Sequence, residues 1–204
     1  MPRAEREQQM LGVAEQIFAE RGYNGASMEE IAERVGVSKP MLYEYFGSKD
    51  GLFLACIARA RAQLGDVTRR AIAGAASPEE QLWCGLLAFF EFIDEHARSW
   101  YVLLSESALM GGPVAEEIEA TRRQQTDLIA ASLAANSQQL SDTPLEPHEL
   151  EGGAQLVVGA CERLSLWRQH HPEVTAHQAA RIVMETFWVG LRGLATGERW
   201  EPQN

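Results

Sequence analysis

The chain is predicted to be all-α, with a short N-terminal module of three helices followed by a larger helical domain. Apolar residues recur at i, i+3 and i+4 along the whole length of the 204 residues, the spacing that lines one face of a helix, and no stretch requires a strand. The punctuation agrees. Gly22, Gly36, the run Gly74 to Pro78 and Gly111-Gly112-Pro113 stand where helical patterns stop, and capping residues stand where the next ones begin. The first module is expected at residues 1–48 and the larger domain at 49–204.

The first helix is expected from Glu5 to Arg21, where Leu11, Ala14, Ile17 and Phe18 share a face and Gly22 supplies the stop. Ser27 followed by Glu30 is a capping box, in which hydroxyl and carboxylate satisfy amide donors at a helix start. Ile31, Ala32 and Val35 fall at helical spacing after it. Gly36 then stands where a left-handed stop is cheapest for a residue without a Cβ. Ser38 caps a third helix, with Pro40 in its first turn, where a missing amide hydrogen removes no intrahelical bond. Leu42 and Phe46 share one face, and Lys39, Met41, Glu44 and Tyr45 lie opposite. One side packs, leaving the other to touch a partner.

A fourth helix runs through Leu52, Phe53, Cys56, Ile57 and Leu64 to about Ala73. Pro78 opens a fifth, whose Leu82, Trp83, Leu86, Leu87, Phe89, Phe90 and Ile93 leave few polar positions, as in a helix buried on most sides. Trp100, Tyr101, Leu103 and Leu104 extend this apolar region after a break near His96. Pro113 to about Ala135 is amphipathic, with Ile118, Thr121, Leu128, Ile129 and Leu133 inward, and the polar stretch from Asn136 to Pro147 reads as a loop. Two last helices are expected near 149–169 and 176–196. The first carries Ala154, Val157, Val158, Ala160, Cys161 and Leu164, and the second Ile182, Val183, Phe187, Trp188, Gly190, Leu191 and Leu194. Small residues let helices approach closely. A terminal pair with an apolar outer face is expected to form a four-helix contact between two copies, making a homodimer.

Two short helices around a Gly-containing turn are the pattern of the helix-turn-helix, whose second helix lies in the major groove with its N-terminal residues on base edges. The fuller string here is Ile31-Ala32, then Gly36-Val37-Ser38, Leu42-Tyr43, Phe46 and Ser48-Lys49 followed by Leu52. It resembles the TetR family of bacterial transcription regulators, in motif over the first quarter of the chain and in layout over the rest. The resemblance implies a DNA-binding regulator, a repressor released from a palindromic operator by a small, largely apolar effector. It also implies that the helix from Lys49 to Ala73 connects the DNA module to the effector domain. An activator of the same architecture is one alternative; a helical small-molecule carrier or enzyme with a relic module is the other.

Carried over residue by residue, Lys39, Pro40, Met41 and Glu44 match positions that face bases. Lys39 suits guanine O6 or N7, Glu44 suits cytosine N4, and Pro40 and Met41 suit thymine methyls. Tyr43, Tyr45 and Lys49 match positions that hold the phosphate backbone, Ser27 and Ser38 open the two helices, and the position of Tyr45 is often histidine in relatives. Ser48-Lys49-Asp50 puts a cap and a cation where phosphate meets free amides and the helix dipole. Arg3 and Arg6 precede the first helix on a tail expected to be frayed and solvated, reach toward phosphates or a minor groove being the alternative.

Large rings crowd the middle of the chain at Trp83, Phe89, Phe90, Phe92, Trp100 and Tyr101, with Glu91, His96, Glu106, Arg122 and Gln125 as polar neighbours. Apolar walls with a few placed polar groups are what a small-molecule pocket is made of. The resemblance implies such a cavity, lined by Trp83, Leu86, Phe89, Phe90, Trp100, Tyr101, Leu104, Arg122 and Gln125. Ordinary core packing is the other reading of the same rings.

Composition narrows the remaining classes. Hydrophobic residues make up 46% of the chain, yet no run approaches the length of a membrane span. The N-terminus lacks the apolar stretch of a signal peptide, so a cytoplasmic location is expected. Cys56, Cys84 and Cys161 are odd in number and far apart, which argues for buried, reduced thiols rather than disulfides or a Cys-based metal site. His170-His171 has no ligand-spaced Cys, Asp or Glu beside it, so a structural role is expected there and no metal. No Ser-His-Asp set, phosphate loop or Glu-x-x-His motif is present, so neither catalysis nor a cofactor is expected. The net charge of -11 runs against the basic surface usual for nucleic-acid binding. Overall charge, however, governs long-range attraction, whereas docking depends on a few donors on one face.

Overall fold

A computed structural model describes residues 2–96, 112–140 and 145–195, with side chains described over 2–96, 112–134 and 145–188. Every regular element among the described residues is helical: α1 (Arg3–Gly25), α2 (Met28–Val35), α3 (Lys39–Phe46), α4 (Lys49–Ile72), α5 (Pro78–Glu95), α6 (Gly112–Leu140), α7 (Pro147–Arg168) and α8 (Ala176–Ala195). The chain divides into two units, Met1–Gln63 with His96–Thr121, and Leu64–Glu95 with Arg122–Asn204.

In the first unit, α1 starts at Arg3 and passes its expected stop. At Gly22 the backbone takes φ 70 and ψ 171, a kink after which helical turns resume to Gly25. Positive φ is cheap only for glycine, so the sequence signal marks a bend rather than an end. At the start of α2, Ser27 Oγ accepts from the Glu30 amide at 3.1 Å. The carboxylate half of the expected capping box does not form; Glu30 instead takes Arg34 at 3.2 Å and Arg21 at 3.7 Å. Gly36, at φ 80 and ψ 34, ends the helix by donating to the Ala32 and Glu33 carbonyls. Ser38 Oγ accepts from the Met41 amide at 3.3 Å, and α3 stops at Gly47, φ 72.

The core of this unit joins Met10, Leu11, Ala14, Ile17 and Phe18 of α1 to Ile31, Ala32 and Val35 of α2, Leu42 of α3, and Leu52, Phe53, Cys56 and Ile57 of α4. Leu42 is fully enclosed, whereas Phe46, its expected companion, is only half-buried. Phe18 and Tyr23 both meet the Phe53 ring at 5.0 Å between centroids. Polar bonds reinforce the seam between α1 and α4. Arg59 lies 3.7 Å from Glu15 and donates to the Gln8 carbonyl at 3.0 Å. Burial holds the Glu15 carboxyl above its ordinary range, with Arg59 pulling it back.

In the second unit, α5 packs on α8 and α7. Its buried Leu86, Phe89, Phe90, Phe92 and Ile93 share this core with Ala154, Val157, Val158 and Cys161 of α7 and Ala179, Ala180 and Val183 of α8. Arg168 closes one end of α7. Its guanidinium reaches Asp94 at 3.0 Å and the Val174 carbonyl at 2.9 Å, and lies 5.6 Å from the Phe90 ring centre.

Helix α6 corrects one expectation. It continues to Leu140, through the Asn136 to Leu140 segment expected to be loop. Gln138, Gln139 and Leu140 are good helix formers, and the strong breaker, Pro144, comes only later. The cysteines need a correction as well: all three are unpaired, but only Cys56 and Cys161 are buried, while Cys84 is half-buried. Among the described residues no helix is long and apolar enough to cross a membrane.

Candidate functional site

The outward face of α3 is built by the same features that fold it. With Leu42 sealed inside, Lys39, Pro40, Tyr43 and Glu44 fall on one contiguous exposed face, and the capping Ser38 is exposed beside them. Ser27 is exposed at the start of α2, whereas Met41, Tyr45 and Lys49 are half-buried. Each of these three leans on a neighbour. Arg6 Nη1 sits 3.7 Å from the Met41 sulfur, the Arg3 guanidinium 4.8 Å above the Tyr45 ring, and Lys49 Nζ 4.4 Å above the Tyr23 ring. Lys39 Nζ lies 3.7 Å from Glu29, with both side chains largely in solvent, where such pairs hold weakly.

Three supporting residues join this surface. The Tyr23 hydroxyl donates to Asp50, Ser48 Oγ accepts from the Gly51 amide at 2.9 Å to cap α4, and Gly51 lets α4 start hard against α3. A Cβ at Gly51 would collide with the Phe46 carbonyl oxygen. A glycine in the first turn of an otherwise apolar-patterned helix was the available signal, since glycine is unfavourable there unless backbone approaches closely. Arg3 and Arg6 are not on a frayed tail. They occupy the first turns of α1, which begins before the point the apolar pattern reveals.

The residues expected to line an effector site do not share one environment. Leu86, Phe89 and Phe90 are buried in the second unit, with Phe89 and Phe90 edge to face at 5.2 Å. Trp83 is half-buried and meets the His177 ring edge-on at 4.9 Å. Arg122 Nε bonds both oxygens of Glu162, at 2.9 and 3.1 Å. Gln125 is 8% exposed, and among the described residues its Nε2 has no hydrogen-bond partner; the neighbouring Thr126 is 3% exposed with its Oγ1 equally unmatched there. Other buried hydroxyls differ: Thr68 and Ser165 bond the carbonyls of Leu64 and Cys161, each at 2.8 Å. Trp100, Tyr101 and Leu104 lie outside the described residues.

His171 Nδ1 is 3.0 Å from Glu173, and its ring stacks on Trp167 at 4.1 Å. That is a local structural use. Among the described residues no group of three His, Cys, Asp or Glu side chains is placed to hold a metal.

The family model described as bacterial regulatory proteins, tetR family, matches residues 10–56, and the tetracyclin repressor-like C-terminal domain matches residues 78–190. The chain belongs to the TetR family. It is a DNA-binding transcriptional regulator, and the two matches cover the helix-turn-helix and most of the larger helical region. It is similar to the transcriptional activator FasR of Mycolicibacterium smegmatis, at 32% identity over 94% of this chain and 85% of that one. The transcriptional repressor BepR of Brucella suis is 28% identical over 62% of each chain. A crystal structure of a TetR-like regulator from Rhodococcus sp. RHA1 superposes with a TM-score of 0.74 at 36% identity, covering 95% of this chain and 99% of that one.

Proposed function

We propose that this TetR-family regulator is a cytoplasmic, homodimeric repressor that leaves a palindromic operator when a small, largely apolar effector binds. Residues 1–48 form the DNA-binding domain and residues 49–204 the effector-binding and dimerisation domain; no catalytic step is involved. Lys39, Pro40, Met41 and Glu44 meet base edges, while Tyr43, Tyr45 and Lys49, with Ser27 and Ser38 at the helix starts, hold phosphates. The observation that carries the reading is the single exposed face of α3, with a lysine and a tyrosine on it and Leu42 sealed behind.

Two copies related by a two-fold axis set their recognition helices about 34–36 Å apart, which demands a palindrome. The effector acts by shifting α4, which carries Lys49 at its start and is bonded to α1 through Arg59. A hundredfold loss of DNA affinity corresponds to a coupling of only about 2.7 kcal/mol, within the usual range for linked sites. The orphaned Gln125 amide supports effector control, because a buried donor without a partner is costly unless a ligand engages it.

The test is a gel shift of the full chain on its own upstream DNA, repeated with candidate apolar ligands and with Tyr43→Phe and Lys49→Ala variants. Loss of retention in folded variants is expected; retention equal to the parent chain refutes the assigned face. Phe90→Ala is expected to blunt effector release while leaving DNA affinity nearly intact, and joint loss of folding and DNA binding assigns Phe90 to the core alone. Similarity to the activator FasR over nearly the whole chain favours a second reading, in which the same DNA-bound form recruits rather than blocks transcription. A reporter placed downstream of the operator separates the two, since deleting the regulator raises expression under repression and lowers it under activation.

A further inference from the structure

Eight arginines and lysines are described in the first unit, at positions 3, 6, 21, 34, 39, 49, 59 and 61. Five of them, Arg21, Arg34, Lys39, Arg59 and Arg61, stand within ion-pair distance of a carboxylate. Among the described residues the other three have neutral partners instead: a tyrosine ring for Arg3, a thioether for Arg6 and a tyrosine ring for Lys49. Within this unit, and despite the chain's net charge of -11, a cation left beside an uncharged group is the minority case. All three exceptions border α3.

We propose that Arg3 and Arg6, on the first turns of α1, grip the phosphodiester backbone of the operator alongside the groove that α3 occupies. The pairs run in antiparallel order, Arg3 to Tyr45 and Arg6 to Met41, so α1 lays both guanidinium groups along the flank of the recognition helix. A neighbouring ring or sulfur fixes a guanidinium without cancelling its charge, and its remaining N–H edge matches two phosphate oxygens. Phosphate binding of this kind adds affinity without sequence preference. It also gives an acidic protein the local cationic surface that its overall charge denies it.

The proposal rests on α3 being the groove-reading helix, and the experiment keeps the two ideas apart. Binding of the full chain is followed by fluorescence anisotropy on a duplex that the chain itself selects from a random-sequence pool, and on a scrambled duplex, from roughly 50 to 200 mM KCl. Arg3→Gln and Arg6→Gln should each lower the slope of log affinity against log salt by about two for the bound dimer, the change expected when one phosphate per protomer is no longer neutralised, and equally on both duplexes. Arg3→Lys and Arg6→Lys should keep the slope. If the double glutamine variant loses affinity at unchanged slope, or loses it on the selected duplex alone, the arginines merely brace Tyr45 and Met41 and the proposal fails. Failure of the groove reading has a separate signature, Lys39→Ala and Glu44→Ala leaving the ratio between selected and scrambled duplex untouched.

Discussion

Replacing Gln125 by leucine should make the ligand-free protein more stable. The side chain is 8% exposed and, among the described residues, its amide nitrogen has no hydrogen-bond partner, which leaves a desolvation cost of about 1–3 kcal/mol for it to recover. Leucine has nearly the same helix propensity and a similar volume, so the substitution removes that cost without opening a hole. For a chain of 204 residues each kcal/mol moves the melting temperature by roughly 2–4 °C, which puts the expected rise at roughly 2–12 °C. Thermal unfolding followed by far-ultraviolet circular dichroism measures it. The same variant should respond to the effector roughly two- to tenfold less well, since a hydrogen bond is worth about 0.5–1.5 kcal/mol net. A lower melting temperature would mean that the amide is already satisfied in the folded state, and would refute a role for it as a donor held ready for ligand.

Leu42→Ala empties a fully enclosed position behind the α3 surface, and a loss of about 2–5 kcal/mol is expected, together with loss of operator retention although no exposed group has changed; chemical denaturation and a gel shift check both. Gly51→Ala forces a methyl group against the Phe46 carbonyl and should cost about 1–3 kcal/mol while displacing the start of α4, so retention weakens even with Lys49 intact. Burial pushes the Cys161 thiol up to about 12 and the Cys56 thiol higher still, so neither forms a thiolate near neutral pH. Iodoacetamide at about pH 8 should therefore label Cys84 alone in the native protein and all three cysteines in denaturant; labelling of Cys161 at the rate of Cys84 would contradict its burial.

The exposed face of α3 is legible in the sequence because short-range chemistry decides it. Ser38 as cap, Pro40 in the first turn and Leu42 at the inward position leave Lys39, Tyr43 and Glu44 only one direction to face. What sequence reading misses depends on groups far apart along the chain. Arg3 and Arg6 precede the first apolar repeat of α1, and only the packing of α1 beside α3 brings them to Tyr45 and Met41. Gly22 reads as a terminus because a glycine after an apolar repeat looks alike whether the helix stops or bends. The end of α6 is misplaced when polar composition is weighed above the helix-forming character of its glutamines. In the middle region the rings are legible as a group, but whether a ring faces a ligand or another ring is a matter of neighbours, as Arg168 over Phe90 illustrates.

The join between α3 and α4 has almost no slack. Only Gly47 and Ser48 separate the two helices, with the Gly47 amide on the Tyr43 carbonyl at 2.7 Å and the Leu52 amide on the Ser48 carbonyl at 3.0 Å. Gly51 lets the two backbones touch. A join of this kind behaves like a gear without backlash, so a tilt at the root of α4 would be passed to the exposed face of α3 instead of being absorbed by a pliant hinge. One residue inserted at this corner would uncouple the orientation of α3 from α4 while leaving both helices whole.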